Sequence, residues 1–296
     1  MYRILLQGLT AFCLTLSASS QEVPPREALR EGFVHTGHIH LHYRVEGEGD
    51  PILLLHGGFL DMHAWDRDVV WLSQSHTVIR IDLPGHGRST GSDTSILIAE
   101  VLHRLLDSLQ IRRTSIMGLS LGASCCIEFA LAYPASVDKL ILVSPGMSGW
   151  AKVMKMDDAS AALFTRSDSV FLTKKNDSIA ESFTHCWCDG PFRSPRDIPS
   201  HIREYVLNSV KENLAVEDRS WPVFNPDKAA IHLGRIDRPT LILTGDRDVP
   251  FIASEGEYYR EHIPHARLIS IPGVAHMINL EKPDRFEELL TAFLKE

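Results

Sequence analysis

The stretch Ile116-Met117-Gly118-Leu119-Ser120-Leu121-Gly122 decides the fold of this chain. An apolar run typical of a β-strand leads into Gly-x-Ser-x-Gly, and a run compatible with a helix, residues 123–133, follows it. Such a tight turn forces its serine into an uncommon backbone conformation, and the glycines leave room for neighbouring backbone. The pattern predicts a strand, a sharp turn and a helix, although this pentapeptide alone also fits an ordinary strand-to-helix turn.

Length and composition limit the classes of protein to which this chain can belong. The chain has 296 residues, of which 44% are hydrophobic and 23% are charged. These values fit one large α/β domain, or a domain with an insertion, around a sizeable buried core. The formal net charge is −8 and no block rich in lysine or arginine offsets it, so we expect no binding to nucleic acid.

Residues 1–20 have the order of a secretory leader. A basic start at Tyr2-Arg3 precedes a mostly apolar stretch, residues 4–16, and small residues follow at 17–20. This order predicts a cleaved signal peptide and a secreted or periplasmic protein; the alternative is a cytoplasmic protein whose leader is misread. The apolar stretch is short for a transmembrane helix, so we expect no stable membrane anchor.

Six segments are predicted strands, and the first of them is a solid apolar run that suits a strand covered on both faces. They are residues 51–55, 77–81, 114–117, 139–143, 240–244 and 266–271. Helical spacing of apolar residues occurs at 98–109 and after Pro283. The repeated order of strand and helix predicts an α/β fold with a mostly parallel central sheet flanked by helices. In such a sheet the ligand crevice lies beyond the carboxyl ends of the strands.

Residues 37–46 alternate between histidine and apolar side chains. His38, His40 and His42 fall on one face and their neighbours on the other, which predicts a half-buried strand at an edge of the sheet. We interpret the histidine face as solvent-exposed; a metal site on it is the alternative.

Residues 147–237 lack strand-like runs, and prolines divide them into short pieces. Helices are predicted at 200–213 and within 159–174, so we interpret this segment as a helical cap inserted between residues 21–146 and residues 238–296 of the core. Its aromatic residues form either a roof over the substrate or the cap's own core. They are Phe164, Phe171, Phe183, Trp187, Phe192 and Trp221.

The cysteines carry little functional signal. Cys125 and Cys126 are adjacent in a predicted helix, where they are poorly placed to bond to each other, so we expect small buried core residues. Cys186 and Cys188 flank Trp187, and no second Cys/His pair lies nearby, so we predict no metal site there. Whether these thiols are joined stays open.

Chemistry-bearing residues follow several of the predicted strands. Serine is a weak nucleophile at neutral pH and needs a base, for which His276 in the loop after the last strand is the candidate. The base needs a carboxylate to orient it, and we favour Asp248 over Asp246 because it lies further into its loop. His56 and His86, also in loops, are interpreted as loop-structuring residues.

A tetrahedral intermediate would need two N–H donors. Leu121, directly after the serine, is one candidate, and Gly58 in His56-Gly57-Gly58-Phe59 is the other, with Phe59 as the second choice. Phe59 and Trp187 are also candidates for binding the substrate, whose contacts in the cap are otherwise not predicted.

Together these motifs resemble those of the α/β-hydrolases that carry a helical cap, and the resemblance covers nearly all of the chain after the leader. The chain order Ser120, Asp248, His276 is that of the family, and the serine turn resembles its nucleophile elbow. The resemblance implies hydrolysis of a small-molecule ester or lactone through an acyl-enzyme on Ser120, with no cofactor. A serine rather than an aspartate at the elbow argues against dehalogenase and epoxide-hydrolase chemistry.

Two other functions stay open at this point. Some members of the family with the same triad and a cap hydrolyse a carbon–carbon bond of a diketone, and a non-catalytic binding protein could use the same scaffold. The sequence does not predict the oligomeric state.

Overall fold

The structure is a computed structural model that describes residues 30–216, 220–226 and 229–296. The predicted leader, residues 1–20, lies outside the described residues. The described residues form one sheet of eight strands. The strands are β1 (Arg30–Thr36), β2 (Ile39–Glu46), β3 (Asp50–Leu55), β4 (His76–Ile81), β5 (Thr114–Leu119), β6 (Val137–Val143), β7 (Thr240–Gly245) and β8 (Ala266–Ile271).

The sheet is mostly parallel. Across it the strands lie in the order β1-β2-β4-β3-β5-β6-β7-β8, with β2 antiparallel to β1 and β4 and all other neighbours parallel. The parallel strands therefore end at the same edge, where the loops that hold Ser120, Asp248 and His276 begin. This arrangement confirms the predicted fold class.

Helices cover both faces of the sheet. They are α1 (Asp66–Leu72), α2 (Ile98–Ser108), α3 (Leu121–Ala132), α4 (Asp158–Phe171), α5 (Asn176–Thr184), α6 (Ser200–Leu214), α7 (Pro250–His262), α8 (Ile278–Glu281) and α9 (Pro283–Leu294). None of these helices, nor any other in the described ranges, is long and apolar enough to cross a membrane.

The core has two layers, one on each face of the sheet. In β3, Leu53 and Leu55 pack into a cluster with α2 and α3, while Ile52 and Leu54 pack on the other side with Trp65 and Phe286. All four β3 side chains are fully buried, which explains why the strand is a continuous apolar run rather than an alternating one.

The prediction that residues 37–46 form an edge strand is wrong, because β1 pairs with β2 and takes the edge position. His42 is buried rather than solvent-exposed. Its Nδ1 and Nε2 atoms each lie 2.8 Å from a carboxylate oxygen, of Asp82 and Glu31 respectively. A buried polar ring is tolerated there because both nitrogens have partners.

Between β6 and β7, the regular elements among the described residues are helices joined by loops. Helices α4 and α6 occupy the two places that the spacing predicts. A π-helical turn, His185–Asp189, continues from α5. The boundaries of the cap at residues 147 and 237 stay predictions.

Candidate active site

Ser120 occupies a strained turn between β5 and α3. Its φ and ψ are 54° and −111°, in the positive-φ region that L-residues rarely adopt. A Cβ on Gly118 would lie 2.2 Å from the carbonyl carbon of Gly122, and a Cβ on Gly122 would lie 2.3 Å from the carbonyl oxygen of Leu55. Only glycine fits either position, so both glycines of the pentapeptide serve the turn.

His276 and Asp248 form a buried pair at the ends of neighbouring strands. Nδ1 of His276 lies 2.7 Å from Oδ2 of Asp248, and the residues are 2% and 3% exposed. The other oxygen of Asp248 accepts a hydrogen bond of 2.7 Å from the N–H of Val249. A neutral ring that donates its Nδ1 proton to Asp248 leaves Nε2 free to accept a proton.

Asp246 has a different role. Its Oδ1 accepts a hydrogen bond of 2.6 Å from the N–H of Gly273, in the loop that leads to His276. The structure therefore brings Asp248, and not Asp246, to the histidine.

Ser120 is joined to this pair through the loop after β6. The N–H of Gly146 donates to the carbonyl of Ser120 (3.3 Å), and Ser144 Oγ donates to the carbonyl of His276 (2.9 Å). The hydrogen bonds of the described residues do not include one between the Ser120 hydroxyl and the His276 ring. Such bonds are often long in unliganded enzymes and shorten when substrate binds.

A cavity of about 630 Å³ opens at Ser120. Leu121, Met147, Trp150, Phe164 and Trp187 contribute to an apolar lining, and the volume suits a small organic ligand. The Trp187 ring also lies against His276, with 4.5 Å between the ring centroids. Trp187 thus links the cavity to the histidine.

The loop after β3 lies beside the start of α3. A Cβ on Gly58 would lie 3.8 Å from Leu121 Cδ2, so the two residues that carry the candidate N–H donors are neighbours. Phe59 has a φ of 58° and packs its ring against Phe171, Phe183 and Trp221 rather than contributing to the lining of the Ser120 cavity.

The cap aromatics therefore divide between the two predicted roles. Phe164 and Trp187 line the cavity, Phe171, Phe183 and Trp221 pack around Phe59, and Phe192 is exposed.

His56 structures its loop, as predicted. Its Nε2 accepts a hydrogen bond of 2.9 Å from the N–H of Leu83, and its Nδ1 donates to the carbonyl of Gly57. Burial lowers the pKa of the ring, which favours this neutral form. The ring is therefore committed to two backbone groups.

Two residues that tie the cap to the core were not predicted. Asn213 Nδ2 in α6 donates to the carbonyls of Phe59 (3.0 Å) and Leu60 (3.3 Å). Arg193 donates to the carbonyls of Cys188 and Asp189 at the end of the π-helical turn and to that of Gly273 in the histidine loop. Their partners in the core, Phe59, Leu60 and Gly273, lie far away in the sequence, so no local pattern predicts these contacts.

The four cysteines that the structure describes are free thiols. Cys125 and Cys126 are fully buried, as predicted, and Cys186 and Cys188 are free, buried thiols. Within the described ranges, no group of three or more histidine, cysteine or acidic side chains is arranged to hold a metal ion.

Comparison with known proteins assigns the family. The family model for the alpha/beta hydrolase fold matches residues 50–283. The chain is an α/β-hydrolase. This confirms the resemblance and the prediction of a hydrolase enzyme.

Relatives of this α/β-hydrolase fall into more than one reaction class. It is 26% identical to a pimeloyl-acyl-carrier-protein methyl ester esterase of Nitrosomonas europaea, over 83% of this chain and 96% of the relative. It is 29% identical to 2-hydroxy-6-oxononadienedioate/2-hydroxy-6-oxononatrienedioate hydrolase 2 of Pseudomonas putida, over 95% and 100%. A solved structure described as Est816, an N-acyl homoserine lactone degrading enzyme, superposes with a TM-score of 0.70 at 25% identity, over 88% and 99%.

Proposed function

We propose that this α/β-hydrolase cleaves a carboxylic ester or lactone through an acyl-enzyme on Ser120, with His276 as base and Asp248 as the orienting acid. The observation that carries the proposal is the buried His276–Asp248 pair, at 2.7 Å, beside a cavity lined by a serine in a strained turn. An esterase and a lactone-degrading enzyme among the similar proteins support the same reaction class.

The proposed reaction gives each of these residues a step. His276 Nε2 takes the proton of the Ser120 hydroxyl while Oγ attacks the carbonyl carbon, and Asp248 stabilises the imidazolium that forms. The N–H groups of Gly58 and Leu121 stabilise the oxyanion. His276 then gives its proton to the departing alkoxide, and the C–O bond breaks. Water, deprotonated by His276, attacks the acyl-enzyme and releases the acid and the serine.

The test is labelling with a fluorophosphonate, followed by hydrolysis of p-nitrophenyl esters and a lactone panel. We expect wild-type protein to label at Ser120, and Ser120→Ala to lose labelling and at least about 10⁴-fold of kcat. Ser254→Ala, an exposed serine of α7, is the matched control and keeps both. Labelling at any other residue, or ester turnover that survives Ser120→Ala, refutes the mechanism.

Carbon–carbon bond hydrolysis is the second candidate, favoured by the full-length similarity to the Pseudomonas putida hydrolase. In this reaction the same three residues would act on a diketone, and the bond cleaved would be a carbon–carbon bond. Turnover of a ring-fission diketone by a protein inactive on every ester and lactone would select it.

We also propose that residues 1–20 are a secretory leader and that the mature enzyme works outside the cytoplasm. Their basic, apolar and small-residue order supports this. Expression of the full chain with N-terminal sequencing of the enzyme from each cell fraction tests it. Recovery of uncleaved protein only in the cytoplasm contradicts it.

A further inference from the structure

A second acidic side chain lies at the cavity of Ser120. Glu255 of α7 contributes to the cavity lining and is only 2% exposed. The backbone of Met147, which also lines the cavity, lies beside its carboxyl group. The proposed acyl transfer gives this carboxyl no part, and burying a carboxyl group is costly unless it forms hydrogen bonds.

The surroundings of Glu255 favour the uncharged form of its carboxyl group. Burial raises the pKa of its carboxyl well above the usual range, and the negative charge of Asp248 adds to the effect, while the backbone of Met147 opposes it. A neutral carboxyl has one O–H donor as well as acceptor capacity. Because Glu255 lines the cavity, this O–H can donate to a ligand there.

The charged residues that line the cavity disfavour a negatively charged ligand. Among the described residues that line it, the acidic ones are Glu255 and Asp168, and none is a lysine or arginine. Asp168 is exposed at the rim. A substrate carboxylate buried here would lose its hydration without gaining a cationic partner from the lining, which is unfavourable.

We propose that Glu255 donates a hydrogen bond to the bound substrate, so that the enzyme selects esters or lactones that are uncharged in the part they bury and carry a hydrogen-bond acceptor there. This specificity rests on the proposed ester hydrolysis and goes beyond it. It places substrates with a second, ionised carboxylate outside the preferred class.

Three methyl esters of matched length test the selection. Methyl 6-oxoheptanoate has a neutral acceptor at its far end, methyl heptanoate has an apolar end, and monomethyl adipate has a carboxylate. For wild-type enzyme we expect kcat/KM to be about fivefold to tenfold higher for the keto ester than for methyl heptanoate. We expect it to be at least about tenfold lower for monomethyl adipate. Equal or faster turnover of the carboxylate ester overturns the proposal without any variant.

Variants then assign the selection to Glu255. Glu255→Met removes the donor at similar volume and should abolish the preference for the keto ester, whereas Glu255→Gln keeps a donor and should retain most of it. Glu257→Met, an exposed position of the same helix, is the control and should leave the ratios unchanged. A keto preference that survives Glu255→Met, or that Glu255→Gln does not restore, overturns the assignment.

Binding separates this proposal from the hydrolysis on which it rests. Trp150 and Trp187 line the cavity, so their fluorescence can follow binding of the same three compounds to Ser120→Ala protein. If wild-type protein neither labels nor turns over any ester, the hydrolysis proposal fails. The order of the three dissociation constants still decides whether Glu255 selects a neutral acceptor.

Discussion

Arg193 and Glu281 form a two-armed ion pair that joins the cap to the loop of His276. The guanidinium nitrogens lie 2.5 and 3.0 Å from the two carboxylate oxygens, and the side chains are 11% and 5% exposed. Glu281 Oε1 also accepts the N–H of Ala275, directly before His276. This largely buried ion pair thus helps to fix the cap and the histidine loop to each other.

Removing Arg193 should weaken both stability and catalysis. Arg193→Met leaves the Glu281 charge buried without its partner, so we expect the free energy of unfolding in urea to fall by about 3 kcal/mol. Displacement of the His276 loop should lower kcat by about tenfold or more.

The double variant Arg193→Met/Glu281→Gln should recover part of the stability, because no charge is then left unpaired. Arg285→Met is the control: its ion pair with Glu288 is exposed, so a loss below about 1 kcal/mol is expected. Equal losses for Arg193→Met and Arg285→Met would show that the cap contact is not structural.

Substitution of the two aspartates in the loop after β7 should lower kcat to very different extents. Asp248→Asn keeps the shape of the side chain but no longer stabilises the Nδ1–H form and its imidazolium, so kcat on a p-nitrophenyl ester should fall by roughly 10³- to 10⁴-fold. Asp246→Asn keeps an oxygen that can accept the N–H of Gly273 and should retain kcat within about threefold. A larger loss in Asp246→Asn than in Asp248→Asn would reverse the assignment.

Glycines near the site should differ sharply in their tolerance of alanine. In Gly118→Ala the new methyl group would meet backbone at 2.2 Å, so a destabilisation of more than about 3 kcal/mol and mostly insoluble protein are expected. In Gly58→Ala it would meet Trp221 at 3.6 Å, an ordinary contact. That variant should fold with wild-type stability, but kcat/KM should fall because the methyl group narrows the approach to the Gly58 N–H. Thermal unfolding and ester kinetics distinguish the two cases.

Asp68 should make the stability depend on pH. It is 1% exposed, and burial raises the pKa of its carboxyl from 3.8 to about 7, against the opposing hydrogen bond from Asn279. Between pH 4 and 7 the folded protein therefore holds a proton that the unfolded chain has lost. The contribution of this group to the free energy of unfolding is greatest below pH 4, falls as pH rises and is lost above about pH 7.

Asp68→Asn removes that dependence. Since one pKa unit corresponds to about 1.4 kcal/mol, we expect the variant to be more stable than wild type at pH 8 by a few kcal/mol, with no difference at pH 4. Asp107→Asn, at an exposed site of α2, should show no such trend. Urea unfolding of Asp68→Asn and wild type at pH 4 and pH 8 measures this effect. If the stability difference between the two proteins is the same at both pH values, the raised pKa is contradicted.

The central strands could be predicted because they are buried on both faces and so appear as unbroken apolar runs. β1 was not predicted, since an edge strand with exposed positions such as Arg30 and Glu31 has no such run. The absence of a signal for β1 also explains why His42 was wrongly expected to be solvent-exposed. Burial of that ring depends on β1 and on the carboxylates of Glu31 and Asp82, which local alternation does not reveal.

The candidate site could be predicted in part for a related reason. Ser120 directly follows β5, and Asp248 and His276 lie in the loops after β7 and β8, so the parallel topology brings all three to one edge. Arg193 and Glu281 are 88 residues apart, and Asn213 is 154 residues from Phe59. Such contacts depend on how the cap docks, which the periodicity of the sequence does not specify.

The π-helical turn His185–Asp189 has an evolutionary consequence. A π turn holds one residue more than an α turn, so deleting a single codon can convert one to the other. The residues beyond the deletion would rotate by about 100° around the helix axis, which would carry Trp187 away from His276. A single small deletion would thus reshape the cavity of Ser120, while the serine, histidine and aspartate of the sequence stay unaltered.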